Sequence, residues 1–379
     1  MISQRARDMK PFLVMDVLER AQEMERRGAD VIHLEVGEPD FDTPEPIKDA
    51  CLRALREGKT HYTHSQGLVQ LREAIAEYYH EHYSVEISSE QILITSGTSP
   101  AMLLLFAAVL EPGNEIILPN PYYPCYPNII SFVAGKPVFV DTDEDDGFQY
   151  HPDQIEEKIT SRTKAIVINS PSNATGIVMD PSRMEQIASL SPFIISDEIY
   201  HGLVYEGNEH TILEFTDRCF VLNGFSKMYA MTGWRLGYVI APDEFTRALQ
   251  VMQQNLFISP NDFVQWAAIS ALREAQQETM EMREIYNRRR ELMLRRLREL
   301  GFRIAVEPTG AYYILANARR YSSDSYHLAF DILEKARVGV TPGIDFGTKA
   351  EGFLRFSYAN SLENIEEGME RIQAYLENL

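Results

Sequence analysis

Cysteine is scarce in this sequence and forms no motif. The 379 residues include three cysteines, Cys51, Cys125 and Cys219, which lie far apart and form no CxxC pair. An odd number of widely spaced cysteines argues against a disulfide framework and against a cysteine-rich zinc site. The histidine pairs in "HYTH" and "HEH" have no converging partners in the sequence. We therefore expect solvated histidines and no metal.

Long apolar runs are also missing. The strongest run, "AMLLLFAAVL", has ten residues, which is about half of what a membrane-spanning helix requires. The first residues, "MISQRARDMKPF", lack the apolar core of a signal peptide. We therefore expect a soluble, cytoplasmic protein with no membrane partner.

Positive charge is outnumbered, with 36 Lys and Arg against 56 Asp and Glu, a net charge of −20. A protein this acidic is repelled by phosphate backbones, so we expect no nucleic acid partner. The sequence also has no GxGxxG motif after its first strand, which argues against a nicotinamide-dependent dehydrogenase. The composition is otherwise that of a globular protein, with 45% hydrophobic residues.

Seven short apolar runs alternate with helical patterns along the first two thirds of the chain. They are "QILITS" (91–96), "NEIILP" (114–119), "KPVFVDT" (136–142), "KAIVINS" (164–170), "FIISDEI" (193–199), "CFVLNGF" (219–225) and "GWRLGYVIA" (233–241). Continuous apolar strands separated by helices predict an α/β domain with a mostly parallel seven-stranded sheet covered by helices. In such a sheet, ligands bind at the carboxyl ends of the strands.

The pattern changes near residue 260. A long, charged helical region is predicted from Asn261 towards Leu300. Three β-rich runs, "FRIAVEP", "GAYYILA" and "FLRFSYA", and a closing helix then predict a second, smaller α+β domain. We expect a large domain of residues 45–285 and a small domain formed by residues 1–44 and 286–379.

A glycine turn follows the first predicted strand of the sheet, in "ITSGTSPAM". Ser99 before Pro100 suits a helix N-cap followed by proline at the first helical position. The same turn also suits an anion site, because free amides and the helix dipole point at one spot. On that interpretation Thr98 and Ser99 hold a phosphate, and the sequence leaves both interpretations open.

Polar residues also follow two later strands. Asn173, in "NSPSNATG", is either a turn residue or a ligand. Asp197, in "ISDEIY", ends an apolar strand and is either a helix cap or a partner for a cation in the cleft. Neither residue identifies a site alone.

The run "FSKMYAMTGWR" places Ser226, Lys227 and Arg235 between two apolar strands. A surface loop with scattered cations is the simplest interpretation. However, a lysine in a partly buried cleft has a lowered pKa and becomes a nucleophilic amine, as Schiff-base chemistry requires. A pyridoxal phosphate site needs hydrogen-bond donors for the phosphate, an acid for the ring nitrogen and an amine for the aldehyde. The glycine turn, the strand-end acid and this amine together supply these parts.

These motifs make the chain resemble the class I/II aminotransferases, pyridoxal-phosphate enzymes of the aspartate aminotransferase fold (fold type I). The resemblance extends from "VGEPDF" (36–41) to "RFSYA" (355–359). Its most specific element is "SKxxxxxGxRxGY", which begins at Ser226 and ends at Tyr238.

The resemblance implies a role in cofactor binding for each motif. Lys227 would form the Schiff base and carry the proton at the substrate Cα, and Asp197 would keep the ring nitrogen protonated. The other implied cofactor contacts are Asn173 and Tyr200 to the ring 3′-oxygen, Tyr123 stacked on the ring, and Thr98, Ser99, Ser226 and Arg235 around the phosphate.

The resemblance also implies the substrate contacts and a dimer. Arg355 would clamp the substrate carboxylate, together with Asn173 and the backbone amide of Gly37. Tyr62 would reach the phosphate of the neighbouring subunit, so we expect a homodimer with active sites at the interface.

The implied activity is transfer of the amino group of an L-amino acid to a 2-oxo acid by a ping-pong mechanism. Two departures from the family pattern are Ala174 in place of a proline and Ser99 where some aspartate-specific relatives carry lysine. With a pocket wall expected near residues 12–15, Tyr122 and Tyr312, we expect neutral or aromatic donors.

Two alternatives remain at this stage. A C–S lyase or another eliminating enzyme of the same fold would use the same cofactor, although related lyases commonly carry a histidine where this chain has Tyr200. A pyridoxal-phosphate-binding regulatory module is the second alternative. The acidic charge of the chain and the absence of a preceding basic module argue against it.

Overall fold

The computed structural model describes residues 2–379. The helices in this range are α1 (Gln4–Asp8), α2 (Leu13–Arg26), α3 (Glu45–Arg56), α4 (Val69–Tyr83), α5 (Thr98–Val109), α6 (Cys125–Phe132), α7 (Pro152–Glu156), α8 (Pro181–Ala188), α9 (Asp243–Leu256), α10 (Asp262–Glu274), α11 (Gln276–Glu299), α12 (Ser325–Ala336) and α13 (Leu362–Leu376). None of these helices is both long and apolar enough to pass through a lipid bilayer.

The strands in the same range form three sheets. They are β1 (Ile32–His33), β2 (Ile92–Thr95), β3 (Glu115–Asn120), β4 (Lys136–Asp141), β5 (Thr163–Asn169), β6 (Phe193–Asp197), β7 (Cys219–Gly224), β8 (Gly237–Ile240), β9 (Tyr313–Asn317), β10 (Val338–Gly339), β11 (Thr341–Pro342) and β12 (Phe353–Ser357).

The largest sheet has seven strands in the order β2-β8-β7-β6-β5-β3-β4. Neighbouring strands from β7 to β4 pair in parallel, whereas β8 is antiparallel to both β2 and β7. The prediction of a mostly parallel seven-stranded sheet is confirmed. Because five parallel strands end at one edge, their following loops meet there.

Helices cover both faces of this sheet, as its continuous apolar strands predict. Alternate residues of β5 point to opposite faces. Ile166 and Ile168 pack into a core with Ile75 of α4. Ala165 and Val167 pack on the other face, in a core that includes helices α5 and α9.

The carboxyl-terminal part of the chain forms a smaller unit around the antiparallel sheet β11-β12-β9. The two-stranded parallel pair β1-β10 attaches the amino-terminal segment to it. One core joins the two ends of the chain, because Ile32 and Leu34 pack with Phe356 and Ile365. The domain boundaries at residues 44 and 285 stay a prediction.

The predicted helical region after Asn261 is confirmed, but it is divided into two helices, because the backbone at Ala275 (φ −108°, ψ 18°) leaves helical geometry. The expectation for the run that follows is wrong. The run "FRIAVEP" is not a strand, and only Arg303 forms a β-bridge, to Asn317. Ala305, Val306 and Glu307 are exposed, so this run has no sheet to pack on.

Candidate active site

A cavity of about 210 Å³ lies where the carboxyl ends of the large sheet meet the small sheet. Most of the predicted site residues line it. They are Gly37, Thr98, Tyr123, Asn173, Asp197, Tyr200, Lys227 and Arg355. The structure thus brings together residues from both parts of the chain, of which Gly37 and Arg355 are 318 positions apart.

Lys227 lies in the turn that follows β7, and its side chain reaches the cavity. Its Nζ donates a hydrogen bond to the carbonyl of Gly37 at 2.7 Å. Burial lowers the pKa of Lys227 to about 8, against the opposing charge of Glu38. The positive charges of Arg355 and Arg235 lower it further. A substantial fraction of this amine is therefore neutral near physiological pH, as a nucleophile requires.

Asp197 ends β6 and is buried, with its carboxylate on the cavity wall. Both oxygens accept hydrogen bonds from neutral donors, Oδ2 from Tyr126 at 2.6 Å and Oδ1 from the amide of Ile199 at 3.2 Å. Burial raises the pKa of Asp197, and the hydrogen bond from Tyr126 opposes that rise. A buried carboxyl group in this position favours a ligand with a positively charged N–H.

Arg355, on β12, is 2% exposed and is held by three hydrogen bonds. Nη1 donates to Oδ1 of Asn173 at 2.8 Å, and Nη2 donates to the Glu35 carbonyl at 2.6 Å and to Oγ1 of Thr341 at 3.1 Å. All three acceptors are neutral, and Nε is buried without a partner within residues 2–379. A buried positive charge without an anionic hydrogen-bond partner favours binding of a carboxylate.

Tyr313 is a cavity residue that sequence reasoning missed. Its hydroxyl lies 2.8 Å from that of Tyr200, and the guanidinium of Arg355 lies 4.3 Å from its ring centre. We expected Tyr312 in the wall, but Tyr312 and Tyr122 do not line this cavity. What distinguishes Tyr313 from Tyr312 is the register of the small sheet, in which Tyr313 pairs with Ser357. The two-residue period of β12 then places Tyr313 on the same face as Arg355.

Gly37 is fixed by contacts on two sides. Its carbonyl accepts hydrogen bonds from Lys227 and, at 3.0 Å, from the hydroxyl of Tyr312. A Cβ atom at position 37 would lie 1.7 Å from the hydroxyl oxygen of Tyr313. A side chain at position 37 would therefore require either Tyr313 or this loop to shift. The predicted contact of its amide with a substrate carboxylate stays a prediction.

The predicted phosphate end lies at the start of α5. The helix begins at Thr98 with Gly97 (φ +96°) as its N-cap, so the expectation that Ser99 is the N-cap is wrong. Gly97 reaches a backbone conformation that side chains disfavour, and the helix starts two residues earlier than the Ser-Pro signal suggests. The side chain of Arg235 lies beside this turn, with Nη2 2.6 Å from where a Cβ atom on Gly97 would stand.

Three other predicted cofactor residues lie outside the cavity wall. Ser99 is exposed as the second residue of α5, and Ser226 precedes Lys227 in the chain. Arg235 is exposed, and its Nη1 donates to the carbonyl of Thr232 at 2.8 Å. Thr98 lines the cavity next to Arg235. Helix amides and a guanidinium together favour an anion at this point.

Tyr62 lies away from the cavity and is 87% exposed. Packing within the chain therefore does not explain this aromatic side chain. Its predicted contact with a neighbouring subunit stays a prediction.

The residues around the cavity fit pyridoxal phosphate. A buried carboxyl suits its ring nitrogen, an amine with a lowered pKa suits its aldehyde, and a helix start with an adjacent guanidinium suits its phosphate. Among the residues that the structure describes, no group of three or more His, Cys, Asp and Glu side chains is placed to hold a metal ion.

Comparisons with known proteins agree with this site. The family model for aminotransferase class I and II matches residues 29–372. A (5-formylfuran-3-yl)methyl phosphate transaminase of Methanocaldococcus jannaschii is 44% identical over 380 residues, which cover 99% of this chain and 100% of the relative. The aspartate/prephenate aminotransferase of Thermus thermophilus is 40% identical over 391 residues, which cover 99% and 98% of the two chains.

A solved structure shares the whole fold. The crystal structure of a Methanococcus jannaschii protein, described as similar in its active site to kynurenine aminotransferases, matches with a TM-score of 0.93 at 44% identity. The match covers 99% of this chain and 100% of that one. The chain therefore belongs to the class I and II aminotransferases, and it is a pyridoxal-phosphate-dependent aminotransferase of fold type I.

Proposed function

We propose that the protein transfers the amino group of an L-amino acid to a 2-oxo acid by a ping-pong mechanism. The observation that carries the proposal is the buried guanidinium of Arg355, which has neutral hydrogen-bond partners and lies on the same cavity as Lys227. Both substrates carry a carboxylate next to the reacting carbon. One anchor therefore serves both in turn, and the donor product leaves before the acceptor binds.

The side chains of the cavity have separable tasks in this reaction. Bound pyridoxal phosphate supplies an electrophilic carbonyl carbon and a ring that accepts the electron pair of the substrate Cα–H bond. Nζ of Lys227 moves the proton at the substrate Cα, since about half of its amine is neutral at pH 8. Asp197 holds a proton on the ring nitrogen, and Arg355 orients the substrate by its carboxylate.

The wall of the cavity supports a neutral or aromatic donor. Phe12, Val14 and Met15 form part of that wall. Of the described residues that line the cavity, Lys227 and Arg355 carry the positive charge. Both already have tasks, so a second carboxylate on the substrate side chain finds no further cation among these described residues. The relative described as similar to kynurenine aminotransferases also favours aromatic donors.

Aspartate is the competing donor, because the Thermus thermophilus relative is named for aspartate and prephenate. The discriminating experiment adds single amino acids to the purified holoenzyme and follows the absorbance of the bound cofactor. We expect phenylalanine, tyrosine and leucine to convert it faster than aspartate and glutamate. Conversion by aspartate and glutamate alone would show that the donor class is wrong.

The same experiment separates amino transfer from elimination. Transfer yields the 2-oxo acid of the donor and, after a second oxo acid is added, returns the absorbance to its starting value. A lyase acting on cysteine-like substrates instead releases ammonia and a sulfur-containing product. Stoichiometric ammonia release without recovery would contradict the ping-pong proposal.

The assembly and location of the enzyme are also proposals. We propose a homodimer in which Tyr62 reaches the partner's phosphate site, and the 87% exposure of Tyr62 supports this. Sedimentation equilibrium tests the dimer, and Tyr62→Phe tests the contact by its effect on cofactor affinity. We also propose a cytoplasmic location, which cell fractionation tests.

A further inference from the structure

The helix α2 begins without a capping side chain of its own. Its N-cap is Phe12, whose side chain offers no hydrogen-bond acceptor. The first amides of a helix need acceptors from outside the helix. Here the carboxylate of Asp345 supplies them, with Oδ1 3.0 Å from the amide of Leu13 and Oδ2 3.2 Å from the amide of Val14.

This cap comes from the opposite end of the chain. Asp345 is separated from Leu13 by 332 positions and lies in the 3₁₀ turn Gly343–Phe346. It is 7% exposed, so the contact is shielded from water. A shielded hydrogen bond to a charged group is stronger than an exposed neutral one.

The capped turn is part of the cavity wall. Phe12, Val14 and Met15 line the cavity, and the ring of Phe12 packs edge-on against Tyr123 at 5.9 Å. Farther along α2, Val17 and Ala21 pack in a separate core with Leu333. The body of α2 therefore has its own apolar anchor, whereas its first turn is held by Asp345.

The residue after Asp345 contacts the substrate anchor. Phe346 is fully buried, and its ring centre lies 4.9 Å from the guanidinium of Arg355. Two consecutive residues therefore connect the wall at Phe12–Met15 with Arg355.

We propose that Asp345 is a positioning residue that fixes the wall Phe12–Met15 relative to Arg355 and so determines the affinity for donors with bulky apolar side chains. The substrate part of this inference rests on the proposed donor class, whereas the positioning part does not. In the proposed reaction this wall faces the side chain of the donor, so its displacement should affect a large side chain more than a methyl group.

The ionisation of Asp345 depends on groups from several elements. Burial raises the pKa of Asp345 to about 6, while the amides of Leu13 and Val14 oppose the rise. The charge of Arg355 also lowers it, and that of Asp16 raises it. The phenol of Tyr122 and the thiol of Cys125 face it as well, and its charge contributes to the raised pKa of each. The cap is therefore charged at pH 8, and it loses its charge and one of its two acceptor oxygens as the pH falls through 6.

The test compares Asp345→Ala and Asp345→Asn with the wild-type holoenzyme at pH 8. Loss of a helix cap of this kind corresponds to about a fivefold effect. We expect Asp345→Ala to raise KM for phenylalanine about fivefold, with KM for alanine and both kcat values changed less than about twofold. The asparagine variant keeps one acceptor oxygen, so its KM for phenylalanine should lie between those of the wild type and of Asp345→Ala. The matched control is Glu19→Gln, an exposed acid on α2, which should match the wild type.

Amide hydrogen exchange of peptide 12–18 reports on the positioning without any substrate. We expect faster exchange in Asp345→Ala and, for the wild type, at pH 5.5 after correction for intrinsic rates, with peptides from α13 unchanged. Unchanged exchange at 12–18, or equal rises in KM for phenylalanine and alanine, would overturn the proposal. If the wild type uses only dicarboxylic donors, the donor class fails, and the exchange measurement still decides the role of Asp345.

Discussion

Nη1 of Arg355 donates a 2.8 Å hydrogen bond to Oδ1 of Asn173, although 182 positions separate the two residues. Arg355 belongs to the small sheet and Asn173 to the loop after β5 of the large sheet. The bond joins the two parts of the chain at the edge of the cavity. Both residues were predicted to contact substrate, and we expect a carboxylate bound there to touch both parts at once.

Arg355→Ala should weaken the binding of carboxylate substrates far more than it weakens the binding of the cofactor. Two charge-assisted hydrogen bonds to a carboxylate are lost, so we expect KM for the 2-oxo acid to rise about hundredfold. The affinity for pyridoxal phosphate, measured by fluorescence titration, should change less than about threefold. Arg319→Ala removes an exposed guanidinium near the same sheet and serves as the control. Equal losses of substrate and cofactor affinity would indicate a structural role for Arg355.

Lys227→Ala should abolish turnover without preventing cofactor binding. The variant loses both the covalent anchor and the group that moves the Cα proton, so we expect kcat to fall by at least about a thousandfold. Steady-state kinetics and equilibrium dialysis with pyridoxal phosphate check the two parts separately. Lys349→Ala, which removes an exposed lysine, should behave as the wild type. A Lys227 variant with ordinary turnover would remove this residue from its assigned role.

The pH dependence of cofactor uptake by the apoenzyme should report the lowered pKa of Lys227. The neutral amine reacts, and its pKa is lowered from 10.5 to about 8. We therefore expect the uptake rate, followed by stopped-flow absorbance, to rise about tenfold per pH unit below 8 and to level off above it. A rate that keeps rising to pH 10 would mean that Lys227 has its ordinary pKa.

His33 should make stability depend on pH in the alkaline range. Its Nδ1 lies 2.6 Å from Oε1 of the buried Glu35, and its Nε2 lies 3.2 Å from Glu25. The hydrogen bond with Glu35 raises the pKa of His33 from 6.5 to about 9, against the effect of burial. Because the folded state binds this proton more tightly, the stabilisation is complete below pH 6.5 and is lost as the pH rises through 9.

The measurement is urea unfolding of the wild type and of His33→Asn at pH 6, 7.5 and 9.5. The free energy of unfolding of the wild type should exceed that of the variant most at pH 6, by at most about 3 kcal/mol. This difference should shrink by pH 9.5. His80→Asn is the control, since His80 pairs with Glu86 in an exposed position. An advantage that is constant between pH 6 and 9.5 would rule out the His33–Glu35 pair as its source.

Much of the fold could be predicted because buried strands leave a strong pattern. All seven apolar runs contain strands of the large sheet, within a few residues of the predicted bounds. The antiparallel direction of β8 was not predicted, because an apolar run looks the same in either direction. The break at Ala275 was not predicted either, since alanine favours a continuous helix.

The predicted site depended on residues at strand ends, and the structure places Asn173, Asp197 and Lys227 on one cavity. What the sequence does not show are contacts set by the packing of distant elements. Tyr313 differs from Tyr312 only by the face of its strand, which requires the register with β12. Asp345 caps a helix 332 positions away, and no local pattern around either residue indicates this.

Gly37 limits how the amino-terminal end of the protein can vary. A methyl group at this position would displace either its own loop or the hydroxyl of Tyr313. The first displacement disturbs the Gly37 carbonyl that accepts the hydrogen bond from Lys227. The second disturbs the Tyr313 ring that packs against the guanidinium of Arg355. A pooled library of single substitutions can be selected for growth that requires this enzyme. Codons other than glycine should then be depleted at position 37, whereas substitutions at the exposed positions of α1 should be tolerated.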